Sequence, residues 1–190
     1  MDIITEKALR LLQNMFSFDK INKRILPLDE EFKPEDDYDY FKIKDYFGYV
    51  NDNNIQILIE LSVFMRRKAE EERKYKASIN TLVKYSNIGQ YLDSNECIDF
   101  EKALSKIIHA ENIQFEFESK NGLKTYGYSS DKNSKYTGLV LIDGKKKDGN
   151  YYQAKIDVIK FCTNVFVYTA DRYTMMWENS LHKIKDFKRC

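Results

Sequence analysis

Helical periodicity dominates the first half of the chain. Over 3–16 the apolar side chains recur every three or four positions, which predicts an amphipathic helix that docks on the core. The stretch 27–40 interrupts the pattern with both prolines of the chain and seven carboxylates, and it is interpreted as an acidic linker or loop. A long central helix is predicted to begin near Ile55, with N-caps available at 51–54 and a charged second half.

Three shorter helical pieces are predicted next, at 78–85, at 88–92 and from about 96 to 110. The last piece follows the capping sequence Asp93-Ser94-Asn95 and has one apolar side. Its other side is polar and consists of Lys102, Ser105, Lys106 and His109.

The hydrophobic period then changes from 3.6 to 2, which predicts antiparallel strands. Alternating runs flank Asn121-Gly122, the strongest short-range hairpin signal. A second hairpin is predicted over 136–161, where Asp148-Gly149 supplies the turn and the consecutive lysines Lys145, Lys146 and Lys147 form the tip. A further strand is predicted over 164–169 and a C-terminal helix over 170–187.

These elements predict an α+β fold. Its parts are N-terminal helices with a long central helix, a helix-turn-helix-like segment, an antiparallel β-meander in a winged-helix-like arrangement, and a C-terminal helix. The predicted division is an N-terminal helix at 1–26 that docks on the core, an acidic linker at 27–40 and a single α+β domain at 41–190.

Composition limits the class of protein. The 14 Tyr and 12 Phe predict an aromatic core, and the formal net charge of +1 gives no global attraction to nucleic acid or membrane, so any charge argument is local. The three cysteines form no C-x-x-C pair, and the sequence shows neither a signal peptide nor a membrane-spanning run. We therefore expect a cytoplasmic protein with no membrane partner.

The predicted order of elements favours DNA binding. In a winged helix the last helix before the sheet enters the major groove of double-stranded DNA, so Lys102, Ser105, Lys106 and His109 would face bases or phosphates. The tip at Lys145, Lys146 and Lys147 would contact backbone phosphates. Residues 124–160 hold eight lysines against four aspartates, which agrees with this hypothesis. The corresponding function is a regulator or replication factor of a phage or mobile element.

The run from Phe100 to Phe117, which contains FEKALSKI before the first strand, resembles the DNA-binding domains of plasmid replication initiators. The resemblance covers about the middle third of the chain and lies in the pattern of a helix leading into a strand and wing. It implies DNA binding.

A metal-dependent nuclease is one alternative. Asp143 is followed by Gln153 and Lys155, an order similar to hairpin nucleases in which carboxylates hold the metal and a lysine orients the attacking water. Gln153 stands where a carboxylate is usual, and an amide is a weaker ligand for a hard cation.

Other metal and cofactor sites are not indicated by the sequence. His109 and His182 have no further ligands at the spacing of a zinc site, and no Gly-rich phosphate loop is present. Our leading hypothesis therefore includes no metal or cofactor.

An inhibitor of a basic nucleic-acid-binding protein is the other alternative. The acidic segment would present its carboxylates to the basic groove of that partner, as an inhibitor from a phage or mobile element would. Its acidic residues are Asp29, Glu30, Glu31, Glu35, Asp36, Asp37 and Asp39. These patterns together favour a binding protein over an enzyme.

Overall fold

A computed structural model of the chain describes residues 2–31, 37–74, 79, 83–127, 134–146 and 148–170. Within the two long helices, the side chains of 19–31, 37–47 and 72–74 lie outside this description. The helices in the described ranges are α1 (Ile3–Glu31), α2 (Asp37–Lys74), α3 (Phe100–Ile108) and α4 (158–170). The strands are β1 (Gly89–Tyr91), β2 (Cys97–Ile98), β3 (Asn112–Glu118), β4 (Lys124–Tyr126), β5 (Lys135–Lys145) and β6 (Tyr151–Asp157).

The six strands form one antiparallel sheet in the order β2-β1-β6-β5-β3-β4. This confirms the predicted α+β class and the antiparallel sheet. Both predicted hairpins are present, because β4 pairs with β3 across the Asn121-Gly122 turn and β6 pairs with β5 across the lysine tip. Gly122 and Gly149 have φ values of 77° and 83°, so each turn uses the left-handed conformation that glycine adopts without strain.

The helices cover one face of the sheet. Side chains at alternate positions of β3, β5 and β6 are buried there, among them Phe115, Val140 and Ile156. Tyr136 of β5 lies in an aromatic cluster with its ring centroid 4.3 Å from that of Phe117 and 4.7 Å from that of Phe18 on α1. Such edge and tilted contacts stabilise the core by about 0.5–1.5 kcal/mol per pair beyond the burial of apolar area.

The long helix α2 begins well before the predicted start. It starts at Asp37, so the three asparagines and one aspartate at 51–54 lie inside the helix and are not its N-caps. Asn54 is fully buried, and its carbonyl oxygen accepts a hydrogen bond of 2.7 Å from the Asn14 amide, which joins α1 to α2. A second polar link between the helices is the ion pair of Lys7 with Glu60. No helix in the described ranges is long and apolar enough to cross a membrane.

The predicted helix-turn-helix segment differs in its described part, whereas half of the piece predicted at 78–85 lies outside the described residues. The piece predicted at 88–92 is strand β1, which pairs with β2 and β6. Strand pairing is favoured there because Gly89 lets the backbones approach closely; a Cβ at this position would lie 2.4 Å from the Lys155 carbonyl oxygen. Helix α3 is capped by Asp99, whose carboxylate accepts from the Lys102 N–H at 2.7 Å. The predicted cap at 93–95 instead closes the β1–β2 hairpin.

The strand predicted at 164–169 is also wrong, because these residues belong to α4. Its buried residues Val158, Phe161 and Val165 recur at helical spacing, and a short apolar run does not distinguish a buried helix from a strand. Asn164 is buried within α4, where its amide accepts from the Tyr85 N–H and donates to the Tyr85 carbonyl, each at 2.9 Å.

The break between α1 and α2 is shorter than the acidic linker predicted at 27–40. Helix α1 continues through Glu31 and α2 begins at Asp37, so only 32–36 separate the two helices, and these lie outside the described residues. The predicted C-terminal helix at 170–187 lies outside them as well, apart from Ala170.

Glu116 is fully buried although it lies on the sheet face opposite the helices. Its carboxylate accepts hydrogen bonds from Lys155 Nζ at 2.6 Å and from Tyr126 Oη at 2.9 Å, and Lys124 Nζ lies 3.1 Å away. Burial alone raises the pKa of Glu116, but these three partners outweigh it and lower the pKa to about 2. The network connects β3 to β4 and β6.

We predict that Glu116 makes the free energy of unfolding depend on pH. Its pKa of about 2 in the folded chain is below the ordinary value of 4.5, so its contribution is complete above about pH 5 and is lost as the pH falls toward 2. The difference corresponds to about 3 kcal/mol. Urea unfolding across this pH range should therefore show a smaller loss of stability for Glu116→Gln than for wild type. Parallel curves for the two proteins would contradict this prediction, and Glu118→Gln, which removes an exposed neighbour, is the matched control.

Candidate nucleic-acid interface

Helix α3 has a buried side that determines where its polar residues lie. Phe100, Ala103, Leu104 and Ile107 are buried, and the Phe100 ring packs with its centroid 5.3 Å from that of Phe161 on α4. The remaining sides of the helix are exposed or half-buried. They include all four predicted site residues, Lys102, Ser105, Lys106 and His109.

The end of the β5–β6 hairpin packs directly against the C-terminal end of α3. A Cβ at Gly144 would lie 3.1 Å from the His109 carbonyl oxygen and 2.9 Å from the Tyr152 hydroxyl, so only glycine fits without a shift. The Tyr152 hydroxyl donates to the Lys106 carbonyl at 3.3 Å, and the Glu111 N–H donates to the Asp143 carbonyl at 2.8 Å. These contacts place the tip next to α3.

Two lysines from different elements converge on one aromatic ring. Lys106 Nζ of α3 lies 5.5 Å from the ring centroid of Tyr91 on β1, and Lys146 Nζ at the tip lies 5.9 Å from it. Lys106 Nζ also lies 3.7 Å from the ring centroid of Tyr152. Such cation–π contacts stabilise a lysine by about 0.5–2 kcal/mol.

Lys106 differs from the other lysines of this region in the charges around its ammonium group. Partial burial, and secondarily the nearby charge of Lys146, lower the pKa of Lys106. In the part of the chain that the structure describes, no carboxylate forms an ion pair with Lys106. An anion placed between Lys106 and Lys146 would relieve their repulsion.

The other lysines of this region have carboxylates nearby. Lys102 Nζ lies 3.1 Å from Glu96, Lys145 Nζ lies 3.3 Å from Glu111, and Lys146 Nζ lies 4.0 Å from Asp93. All three lysine side chains are between two-fifths and one-half exposed, and exposed pairs stabilise a protein by only about 0–1 kcal/mol. We call Tyr91, Lys102, Lys106, Lys145 and Lys146 together the α3–tip surface.

Arg66 of α2 adjoins this surface and was missed from the sequence. Its guanidinium lies 3.1 Å from His109 Nε2, and it lines a cleft of about 260 Å³ between α2 and α3 together with Lys102 and Ser105. In the sequence, Arg66 opens the charged second half of the predicted central helix. No local pattern places it next to α3, because that contact spans more than 40 residues.

Several predicted residues lie outside the described part of the chain. Lys147 at the tip is one of them. The others are the side chains of the acidic segment, Asp29, Glu30, Glu31, Glu35, Asp36, Asp37 and Asp39. The inhibitor hypothesis therefore stays a prediction.

The structure brings together only two of the three residues of the nuclease hypothesis. Asp143 and Gln153 are cross-strand partners, but Lys155 is paired with Leu141 in register and its ammonium binds Glu116 at 2.6 Å. The Asp143 carboxylate accepts a long hydrogen bond of 3.5 Å from the Asn112 amide. Within the described ranges, no group of three His, Cys, Asp or Glu side chains is arranged to hold a metal ion.

We predict that Gly144→Ala loosens the contact between the hairpin and α3. The new methyl group would overlap the buried Tyr152 hydroxyl, so the free energy of unfolding should fall by about 1–3 kcal/mol in urea denaturation. Combining it with Tyr152→Phe removes the overlapping oxygen and should recover part of that loss. Gly48→Ala is the control, because its Cβ meets nothing within 4 Å and should stabilise α2 by up to about 1 kcal/mol. Wild-type stability for Gly144→Ala would show that the contact is not tight.

The α3–tip surface thus lies at one end of the sheet, where lysines from a helix and from a hairpin meet around the Tyr91 ring. The carboxylates that pair with three of its lysines, Glu96, Glu111 and Asp93, are exposed. No protein-family model, curated protein or solved structure matches this chain.

Proposed function

We propose that this protein binds nucleic acid, with double-stranded DNA as the leading ligand, through the α3–tip surface. The observation that supports the proposal best is the convergence of Lys106 and Lys146 on Tyr91, with Lys106 lacking an ion-paired carboxylate in the described part of the chain. Besides partial burial, the charge of Lys146 disfavours the protonated form of Lys106 and contributes to its lowered pKa. A phosphate group bound between them would counter that effect.

The proposed mode of binding is contact with backbone phosphates. Helix α3 is only 9 residues long, and the preceding helix of a helix-turn-helix is replaced by β1 and β2, so major-groove reading by a winged helix is not part of the proposal. Phosphate contacts determine the position of a protein on the duplex but do not read its sequence. The expected role is therefore sequence-independent attachment to DNA, as in a replication factor or an accessory regulator.

The expected affinity is modest and strongly dependent on salt. The described lysines of the surface allow at most four phosphate contacts, and each contact contributes about −0.9 to the slope of log K against log salt. Three of these lysines already pair with a carboxylate. Each must give up that pair to bind a phosphate, so its net contribution to the binding free energy is smaller. We expect a dissociation constant on the order of 10⁻⁴ to 10⁻⁶ M at physiological salt.

Replacing Lys106 and Lys146 together with glutamine should weaken binding to a labelled random duplex. The salt slope in fluorescence anisotropy should become shallower by about 2, because two phosphate contacts are lost. Thermal unfolding of the variant checks that partly buried Lys106 has been replaced without loss of the fold.

The matched control is the double variant Lys84→Gln, Lys120→Gln. Both lysines are exposed and lie toward the other end of the sheet, Lys84 before β1 and Lys120 in the β3–β4 turn. This control loses the same charge and should change the slope by less than half as much. The proposal is wrong if the two double variants weaken binding equally, or if the wild type binds no duplex at low salt.

A further inference from the structure

Tyr151 is an exposed aromatic side chain at the same hairpin end as the α3–tip surface. It is 67% exposed, whereas its neighbour Tyr152 is 2% exposed, because successive side chains of β6 point to opposite faces of the sheet. Tyr151 therefore lies on the face opposite the helices. Single exposed aromatics are common and need no explanation by themselves, so the surroundings of Tyr151 decide its significance.

A lysine lies beside the exposed ring. Lys145 is the cross-strand partner of Tyr151, and its Nζ lies 5.0 Å from the ring centroid. Glu111 holds the same ammonium group from the β3 side at 3.3 Å. Lys146, the next residue, lies beside Tyr91. The hairpin end thus presents an exposed ring with the Lys145 ammonium next to it on one face of the sheet, whereas Lys146 lies on the face of Tyr91.

We propose that Tyr151 is a stacking platform for an unpaired base, so that the protein binds nucleic acid with a single-stranded segment as well as the duplex. This inference rests on the proposed function. Every base has a π-face that stacks on an aromatic ring, and proteins that bind single strands combine such rings with cations that follow the backbone. Bases inside a duplex have both faces covered by their neighbours, so they do not stack on Tyr151. Lys145 would contact a phosphate that flanks the stacked base.

The test compares a single-stranded oligothymidylate with a duplex of the same length, both labelled, in fluorescence anisotropy. Tyr151→Ala should weaken single-strand binding by about tenfold and leave duplex binding unchanged, because stacking on one ring accounts for a change of this size. Tyr151→Phe keeps the ring and should bind as wild type. The loss in Tyr151→Ala should persist at high salt, since stacking does not depend on counterion release.

Leu123→Ala is the matched control for the removal of exposed apolar surface. Leu123 is also 67% exposed but lies at the β3–β4 turn, toward the other end of the sheet, so this variant should bind both probes as wild type. Equal single-strand affinity for Tyr151→Ala and wild type would overturn the stacking role, and so would equal losses on the two probes. If the stacking role were overturned in this way but duplex binding still depended on Lys106 and Lys146, the proposed function would stand without the stacking role. A wild type that binds neither probe would overturn both.

Discussion

The close contact between the C-terminal end of α3 and the β5–β6 hairpin determines the arrangement of the candidate site. Gly144 allows the hairpin backbone to lie against the His109 carbonyl, and hydrogen bonds from Tyr152 and Glu111 hold it there. Without this contact, the lysines of the helix and those of the tip would belong to separate surfaces. With it, Lys106 and Lys146 lie against the same Tyr91 ring, where the proposed function places a bound phosphate.

The sheet is stabilised on both faces. On one face the aromatic cluster around Tyr136 packs against α1, while on the other the buried carboxylate of Glu116 binds lysines from β4 and β6. Lys155 belongs to that network, so the lysine of the spacing that suggests a nuclease binds Glu116 in the structure. The lysines of the α3–tip surface differ from Lys155 because their partners are exposed or absent among the described residues, and such lysines can exchange partners at low cost.

The parts of the fold that depend on neighbouring residues were predictable from the sequence. The helix from Ile3, the Asn121-Gly122 turn and the lysine-tipped hairpin each have a periodic pattern and local turn chemistry. The parts that depend on distant contacts were not. Strand β1 forms because β6, more than 60 residues later, pairs with it, and α4 has an apolar run that fits a strand equally well. Within the site, α3 and the tip were identified from their lysines, whereas Tyr91 and Arg66 enter it only through pairing and packing that no local pattern encodes.

Amide chemical shifts of isotope-labelled protein, followed during titration with a short DNA duplex at low salt, test the central claim most directly. They report which backbone groups sense the ligand without any mutation. Binding through the α3–tip surface predicts that the largest changes fall at 91, 102–109 and 143–152, and that they diminish as salt is added. Changes concentrated on α1 and α2, or none at saturating DNA, would contradict the account.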